Sequence, residues 1–372
     1  MDRDDFKLAR GGGMAWLECA SLARLPWLLH AFSTRLIGGA GGTESPRNRV
    51  DTPQGTVIAA NDPQAQAAAG LDLSLHFGSS SAAPGRPNQA ESNRQRFFQQ
   101  IGASGFSFAA LRQTHSTNLF LAASGAGGAI EFRVPGSPDT AIDLKPETPP
   151  STREPRGAGE KVPPAGDALL ADQPSILLSV RVADCMPILI ADPRRRVIAA
   201  VHAGWRGALD GIVEKAVGEM GRAFGSDPGD LIAAVGPSIR ACCYEVGQEV
   251  IEAFRGRFKT SEDFFKVRQA GGGTAPARSL RQGLQLLSER AAGHDSHHPP
   301  TVHLNLIAVA RHQLHIAGLG ASQIHIAPYC TACRTDLFYS YRKEGNSTGR
   351  MMAVLGMRRK GEAGEESVKY KG

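Results

Sequence analysis

Two short strings of this sequence place a thiol and an imidazole at the ends of neighbouring apolar segments. Cys185 lies in ADCMPILIAD, after an acidic residue and before an apolar run, and His202 ends the next apolar run in AAVHAGWRG. A second imidazole, His115, follows an earlier strand-like segment in LRQTHS. Strand ends at one rim of a sheet can direct side chains from separate segments at one point. These three residues are therefore candidate catalytic or metal-binding residues.

Three kinds of site fit these residue types. Two imidazoles and one thiolate form a three-ligand set that suits zinc, or copper, and leave a fourth coordination position open, as catalytic zinc sites do. Cys185 acting as a nucleophile with His202 as its base would form a hydrolase site that needs no metal. Each residue alone at a strand end is also typical of plain core packing. Spacing does not decide among the three.

The elements that must position these residues follow from the spacing of apolar side chains. Alternating or continuous apolar runs of strand length lie at 71–78, 106–116, 176–182, 186–192, 197–203, 231–236 and 323–330. Apolar residues recur at helical spacing at 90–101, 209–220, 250–254 and 304–314. This mixture predicts an α/β or α+β protein.

Three segments interrupt the pattern, at about 40–68, 123–165 and 268–300. The second holds eight prolines and six glycines with no periodicity, which is typical of an inserted disordered loop. We expect one domain over residues 14–356 with these loose insertions, followed by a charged flexible tail at 357–372. Met14 is a candidate start, because the apolar patterning begins just after it.

The composition is that of a globular protein with more loop than usual. The chain has 372 residues, 41% of them hydrophobic and 21% charged, with 43 glycines and 23 prolines. The net charge of +6 is scattered, and no basic stripe interleaved with aromatics indicates a nucleic-acid partner. No apolar run approaches the roughly 18 residues that span a membrane. Six cysteines without a signal-peptide pattern favour a reducing compartment, with the cytoplasm as the expected location.

Four further cysteines occur in two pairs. Cys242 and Cys243 are adjacent in CCYEVG, and Cys330 and Cys333 form a CxxC in CTAC. Together they could form a structural zinc site. Adjacent cysteines do not easily face one metal, however, so the sequence favours packing near the pocket, or redox sensitivity.

Several strings together resemble the signatures of the YfiH/laccase-domain family. They are HAFSTRLIGG, LSLHFG, LRQTHS, ADCMPILIAD, AAVHAGWRG, AAVGPSIRACCYEVG, CTACRTDLFYSYRKEG and TGRMMAVLG. The resemblance covers roughly residues 25–122 and 166–356. HAGWRG with ADC upstream is its most specific part. The family was first described as multicopper polyphenol oxidases and is now assigned purine nucleoside phosphorylase and adenosine deaminase activity.

The resemblance implies a fold, a metal site and a reaction. The fold would be a single α+β domain of four layers, an α/β/β/α sandwich. The family's zinc ligands correspond here to His115, Cys185 and His202, and copper stays an alternative metal. The substrates would be phosphate and the purine nucleosides adenosine, inosine and methylthioadenosine, with no nucleic-acid or membrane partner and an oligomeric state that the sequence leaves open.

Substrate residues are predicted from cations and one imidazole within the same strings. Arg35, Arg206 and Arg342 lie beside glycines or aromatics, where a guanidinium can bind phosphate oxygens in a fork. Arg35 is the preferred phosphate ligand, the alternative being that such an arginine pairs with a buried carboxylate. His76 in LSLHFG is a candidate for orienting the substrate, or it lies beneath the site. One departure from the family is HLNL before the last helix, where an aspartate is usual and Asn305 occurs.

Three other functions stay open on the sequence. A copper-dependent phenol oxidase would need more ligands than these three, and a cell-wall (peptidoglycan) editing role is also attributed to bacterial relatives. A metal-free cysteine hydrolase would use Cys185 and His202. A non-enzymatic binding or scaffold protein would not depend on His115, Cys185 or His202 at all.

Overall fold

A computed structural model describes seven segments of the chain, residues 5–37, 49–50, 57–58, 70–75, 86–136, 162–268 and 301–361. Most of the three predicted insertions, the charged tail beyond residue 361 and the candidate substrate residue His76 lie outside these residues. No helix in the described part of the chain has both the length and the apolar character to cross a bilayer.

The described segments contain seventeen strands and seven α-helices. The strands are β1 Phe6–Gly11, β2 Met14–Cys19, β3 Leu28–Ile37, β4 Arg49–Val50, β5 Val57–Ile58, β6 Ser107–Ala109, β7 Leu119–Ser124, β8 Ile130–Arg133, β9 Ala168–Ala171, β10 Ile176–Val182, β11 Met186–Asp192, β12 Val197–Ala203, β13 Ile232–Val235, β14 Phe265–Arg268, β15 Thr301–Leu304, β16 Ile324–Ile326 and β17 Met351–Met357. The helices are α1 Ala20–Ala23, α2 Arg86–Gln100, α3 Trp205–Leu209, α4 Ile212–Phe224, α5 Gln248–Arg257, α6 Leu306–Ile316 and α7 Tyr341–Glu344.

Two mixed sheets form the centre of the molecule. The six-stranded sheet has the order β1-β2-β3-β17-β10-β6, and the seven-stranded sheet has the order β16-β13-β11-β12-β9-β7-β8. Their central strands β10, β11 and β12 are almost continuously apolar, which is typical of strands buried on both faces. The chain leaves the first sheet at the end of β10 and enters the second at β11, so the turn between them, which carries Cys185, connects the two sheets.

Three apolar cores divide the molecule into four layers. One core lies between the two sheets and contains Leu178 from β10 and Leu189 from β11. A second lies between the seven-stranded sheet and helices α4 and α6, and a third places Phe97 of α2 against the outer face of the six-stranded sheet. The order helix, sheet, sheet, helix confirms the predicted α+β sandwich.

The long helix α4 forms because its apolar residues recur on one face. Ile212, Val213, Ala216, Val217 and Met220 are all buried against the sheet. The helix ends at Gly225, whose φ of 68° is the left-handed conformation that glycine adopts without a Cβ clash.

Helix α6 begins at the departure from the family pattern. The Asn305 side chain accepts a hydrogen bond from the Ala308 backbone N–H at 3.3 Å, as an N-cap residue does. Asparagine and aspartate cap helices about equally well. The change from the usual aspartate therefore preserves the start of this helix.

Three local features differ from the sequence expectations. Residues 71–75 alternate buried and less buried side chains but form no strand, because Leu71 donates its backbone hydrogen bond to Arg35 and Leu73 donates to Arg350. Strand β8 lies inside the segment 123–165 that the sequence treats as an insertion. Strand β1 lies upstream of Met14 and pairs with β2 over its whole length, so the first sheet begins before that residue.

Candidate functional site

His115, Cys185 and His202, which are far apart in the sequence, converge at one point. Their ligand atoms, one from each residue, all lie within 4.8 Å of one another. The Cys185 Sγ lies 3.6 Å from His115 Nε2, and the two imidazole rings meet edge to face with centroids 4.9 Å apart. His202 is buried, Cys185 is half-buried and His115 is exposed, so the cluster has one side open to solvent.

Each of the three side chains is positioned by a different element. His202 is on β12, opposite Pro187 of β11, and this register brings the end of β12 beside the turn that precedes β11. Cys185 lies in that turn, directly after Asp184, whose φ of 88° is rare for a residue with a side chain. His115 also has a positive φ, 60°, in the turn after β6. A positive φ at one cluster residue, His115, and at the residue directly before another is typical of the strained backbone of functional sites.

A buried carboxylate, Asp167, connects two of the three residues. Its Oδ1 lies 2.8 Å from His202 Nδ1 and accepts the His115 backbone N–H at 3.0 Å. Its Oδ2 accepts the backbone N–H of Ser116 at 2.6 Å and the Ser116 hydroxyl at 2.7 Å. Asp167 therefore holds the His115 turn in place and orients the His202 ring, as carboxylate partners of metal-binding histidines do.

Gly204 lies against the cluster so closely that a larger residue would not fit. A Cβ atom at this position would lie 2.6 Å from His115 Cδ2 and 3.1 Å from Cys185 Sγ. The first glycine of HAGWRG is thus required, because the backbone there approaches two of the three candidate ligands closely.

The cluster carries opposite charges at Cys185 and His202. Burial favours the neutral thiol, but the neighbouring His202 and His115 outweigh it and lower the pKa of Cys185 to about 6. Burial also opposes protonation of His202, yet the Cys185 thiolate and Asp167 raise the pKa of His202 to about 9. A thiolate at neutral pH is the form that binds a metal or attacks a carbonyl.

This donor set fits a divalent transition metal. A bound metal would displace the Nε2 proton of His202, while Nδ1–H stays hydrogen-bonded to Asp167, so that the Nε2 lone pair becomes available for coordination. Together with His115 and the Cys185 thiolate it forms the three-ligand set with an open fourth position that catalytic zinc sites use.

A second carboxylate, Asp184, connects the Cys185 turn to the segment between β16 and β17. It accepts the Thr331 hydroxyl at 2.6 Å and the Arg342 backbone N–H at 2.7 Å. The Arg342 guanidinium lies over the ring of Tyr244, 5.2 Å from its centroid. Burial and then the Cys185 thiolate raise the pKa of the Tyr244 phenol, which places this ring within electrostatic reach of the cluster.

The other two candidate phosphate ligands, Arg206 and Arg35, differ in their surroundings. Arg206 is exposed at the start of α3, with its guanidinium 4.4 Å from the centre of the Trp205 ring, and it follows Gly204 by two residues. Arg35 is largely buried: its Nη1 donates to Glu344 at 2.6 Å and to the Thr335 carbonyl at 2.9 Å. Its guanidinium also stacks over Tyr339.

Sequence reasoning missed Asp167 and did not assign a role to Asp184. Asp167 follows Gly166 at the start of a fully buried strand, and a charged residue at such a position is rare unless it is paired. The sequence therefore indicates that Asp167 has a partner. It does not indicate which residue the partner is, because His202 lies 35 positions away.

Comparison with known proteins supports the resemblance. A family described as multi-copper polyphenol oxidoreductase laccase matches residues 65–358. The chain is 33% identical over 189 residues to a protein of Bacteroides thetaiotaomicron named purine nucleoside phosphorylase, and the match spans 51% of this chain and 60% of that protein. It is also 33% identical over 184 residues to adenosine deaminase RL5 of an unknown prokaryotic organism, a match that spans 50% of this chain and 59% of that protein.

Among solved structures, the Bacillus licheniformis hypothetical protein YfiH aligns with a TM-score of 0.63 over 95% of this chain and 100% of its own length. Its identity is 22%, so this likeness concerns the fold. The chain spans only about 60% of the length of the two curated relatives described above. With four fifths of its residues inside the family match, the chain belongs to the family described as multi-copper polyphenol oxidoreductase laccase.

Proposed function

We propose that this protein is a zinc-dependent purine nucleoside enzyme. It would convert adenosine, inosine or methylthioadenosine and phosphate to the free base and ribose 1-phosphate, and would also deaminate adenosine. The observation that carries the proposal is the convergence of His115, Cys185 and His202, with Asp167 oriented on His202. Relatives named purine nucleoside phosphorylase and adenosine deaminase support the substrate class.

The metal would be held by His115, Cys185 and His202. Zinc bound there would supply a Lewis acid with one open coordination position. Cys185 contributes the negative charge of its thiolate, and Asp167 keeps the Nδ1 proton of His202 directed away from the metal side of the ring. The exposed His115 and the half-buried Cys185 form the side from which substrate enters.

Phosphorolysis requires the protein to hold phosphate next to the ribose. The phosphate oxygen bonds to C1′ as the bond between C1′ and the purine nitrogen breaks, and the base leaves with the bonding electrons and gains a proton. Arg206 is exposed beside the site and would bind the phosphate through its guanidinium. Arg35 is a second candidate, but its guanidinium would have to give up part of its ion pair with Glu344 to bind phosphate. Deamination needs water in place of phosphate and releases ammonia from C6.

The test is one incubation of adenosine with the purified protein, with and without phosphate. We expect adenine and ribose 1-phosphate only when phosphate is present. Inosine and ammonia should form in both reactions, with part of the inosine converted to hypoxanthine when phosphate is present. Absence of all of these products from folded, zinc-loaded protein would contradict the proposal.

A second candidate, a metal-free cysteine hydrolase, is favoured by one specific observation. Cys185, His202 and Asp167 form a chain of thiol, imidazole and carboxylate with a lowered pKa at the thiol, which is the arrangement of an activated nucleophile. The two candidates differ in what a chelator does. If the protein is a zinc enzyme, a chelator would abolish nucleoside turnover and expose Cys185 to alkylation. If it is a metal-free hydrolase, a chelator would leave its activity unchanged.

The copper oxidase named in the family description is a third candidate with weaker support. The His115 cluster contains two imidazoles and one thiolate in the described part of the chain, whereas a multicopper centre draws on many histidines. Elemental analysis separates zinc from copper. Oxygen consumption with a phenol substrate tests the oxidase directly.

A further inference from the structure

The four cysteines that the sequence presented as two separate pairs form one cluster. The sulfur atoms of Cys242, Cys243, Cys330 and Cys333 all lie within 4.8 Å of one another. Cys333 Sγ lies 3.4 Å from Cys242 Sγ and 3.3 Å from Cys243 Sγ. All four are free thiols, since a disulfide would bring two sulfurs to about 2.05 Å.

The backbone explains how adjacent cysteines face the same point. After Arg240 the chain turns tightly, because the N–H groups of Cys243 and Tyr244 both bond to the Arg240 carbonyl. This turn brings the Cys242 and Cys243 side chains to the same sulfur of the CxxC segment. The local geometry therefore lets two adjacent cysteines face one metal, which the sequence alone did not favour.

The second pair is held in register with the first by backbone contacts. Thr331 N–H bonds to the Ser238 carbonyl at 3.2 Å. The Arg240 N–H donates to Cys330 Sγ at 3.4 Å, and backbone donors of this kind stabilise thiolates in metal sites. The loop at 236–247 and the loop at 327–340 thus meet at the four sulfurs.

We propose that Cys242, Cys243, Cys330 and Cys333 form a structural zinc site separate from the His115–Cys185–His202 cluster. Four thiolates around zinc at about 2.3 Å place the sulfurs about 3.8 Å apart, close to the spacing of this cluster. Binding releases the thiol protons as the four zinc–sulfur bonds form. With all four positions taken by protein, such a site is closed to substrate, which distinguishes it from the three-ligand site.

The zinc would cross-link the loop at 236–247 to the loop at 327–340, and both loops border the candidate active site. Thr331, between Cys330 and Cys333, donates to Asp184, and Arg342 beyond the CxxC donates to the other oxygen of the same carboxylate. The other loop donates to the Asp184 carbonyl through Ile239 N–H at 2.9 Å. Both loops therefore support the turn that carries Cys185. The four-cysteine site would form whichever reaction the candidate active site catalyses.

The experiment counts metal in protein purified under reducing conditions without added metal. Wild type is expected to carry two zinc ions per chain, and Cys185→Ser about one, held by the four cysteines. The Cys242→Ser/Cys333→Ser double variant replaces the two exposed members of the cluster and is expected to lose one zinc. Cys19→Ala, which alters a buried thiol outside both clusters, serves as the control and should keep two.

A spectroscopic and a thermal readout complete the test. Cobalt added to metal-free Cys185→Ser should give the intense absorption of a four-thiolate site, and the triple variant Cys185→Ser/Cys242→Ser/Cys333→Ser should not. A chelator should lower the Tm of Cys185→Ser and leave that of the triple variant unchanged, because a structural metal contributes to folding. One zinc in wild type that disappears in Cys185→Ser, or a disulfide among the four cysteines in the reduced preparation, would overturn the proposal.

Discussion

Asp167 Oδ1 lies 2.8 Å from His202 Nδ1, so a carboxylate next to β9 contacts a candidate ligand on the neighbouring strand β12. The same oxygen accepts the His115 backbone N–H, while the other oxygen accepts two hydrogen bonds from Ser116. The carboxylate therefore determines both the orientation of one candidate ligand and the backbone position of another. We therefore expect removal of the Asp167 carboxylate to disturb His202 and His115 together.

Asp167→Asn should weaken metal binding about 10- to 100-fold, as loss of a partner of a metal-binding histidine does. The amide also places an N–H group against N–H donors at 114–116, so the free energy of unfolding should fall by about 1–3 kcal/mol. Metal titration and thermal denaturation measure the two effects. Unchanged zinc affinity would show that Asp167 does not orient a ligand.

The same variant tests a pH dependence of stability. Burial raises the pKa of Asp167, but the bonds to His202 and Ser116 outweigh it and lower the pKa from 3.8 to about 2. A lowered carboxyl pKa contributes stability that is complete above about 3.8 and is lost as the pH falls toward 2. Metal-free wild type should therefore lose stability over this range more steeply than metal-free Asp167→Asn.

Gly204→Ala should disrupt the cluster while leaving the fold. The new Cβ would meet His115 Cδ2 at 2.6 Å and Cys185 Sγ at 3.1 Å, so at least one candidate ligand must move. We expect metal content and nucleoside turnover to fall at least tenfold. Gly218→Ala is the matched control, since its Cβ on the exposed face of α4 meets no atom within 4 Å. It should raise stability by about 0.5–1 kcal/mol and keep full metal content.

Arg206→Ala and Arg35→Ala should separate phosphate binding from structural support. A residue that holds phosphate contributes to adenine release and not to inosine formation, which uses water. Arg206→Ala should lower adenine production from adenosine at least tenfold in one incubation with phosphate. The sum of inosine and the hypoxanthine formed from it should change little. Equal suppression of both products by Arg35→Ala would indicate that its ion pair with Glu344 supports the fold and that it is not a phosphate ligand.

Metal-free protein should contain a reactive thiol. Because His202 and His115 lower the pKa of Cys185 to about 6, its thiolate is the dominant form at neutral pH and is lost only as the pH falls below about 6. The rate of iodoacetamide modification at Cys185 should follow this curve, and His202→Ala should shift its midpoint upward. Added zinc should protect Cys185. Protection by zinc that is no stronger than with magnesium would argue against a thiolate ligand.

Much of this protein follows from local patterns in the sequence. The apolar runs at 176–203 identify three buried strands, and the helical spacing from Ile212 to Met220 identifies the buried face of α4, because periodicity depends only on neighbouring residues. The residue types of His115, Cys185 and His202 narrow the candidate chemistry to metal binding or cysteine catalysis, but they do not choose between the two. The stretch at 71–75 shows the limit of such patterns: its alternation is correct, yet its backbone bonds to two separate segments and forms no strand.

Tertiary structure alone decided which distant residues meet. Asp167 finds His202 through the pairing of β9 with β12, and the adjacent Cys242 and Cys243 meet Cys333 through a turn and a contact between loops about 90 positions apart. Arg35, which reads as an available cation, pairs with Glu344 some 309 positions away. Each of these contacts depends on strand register and on the direction of a side chain in space. Neither can be read from local sequence patterns, because both depend on contacts between residues that are distant in the chain.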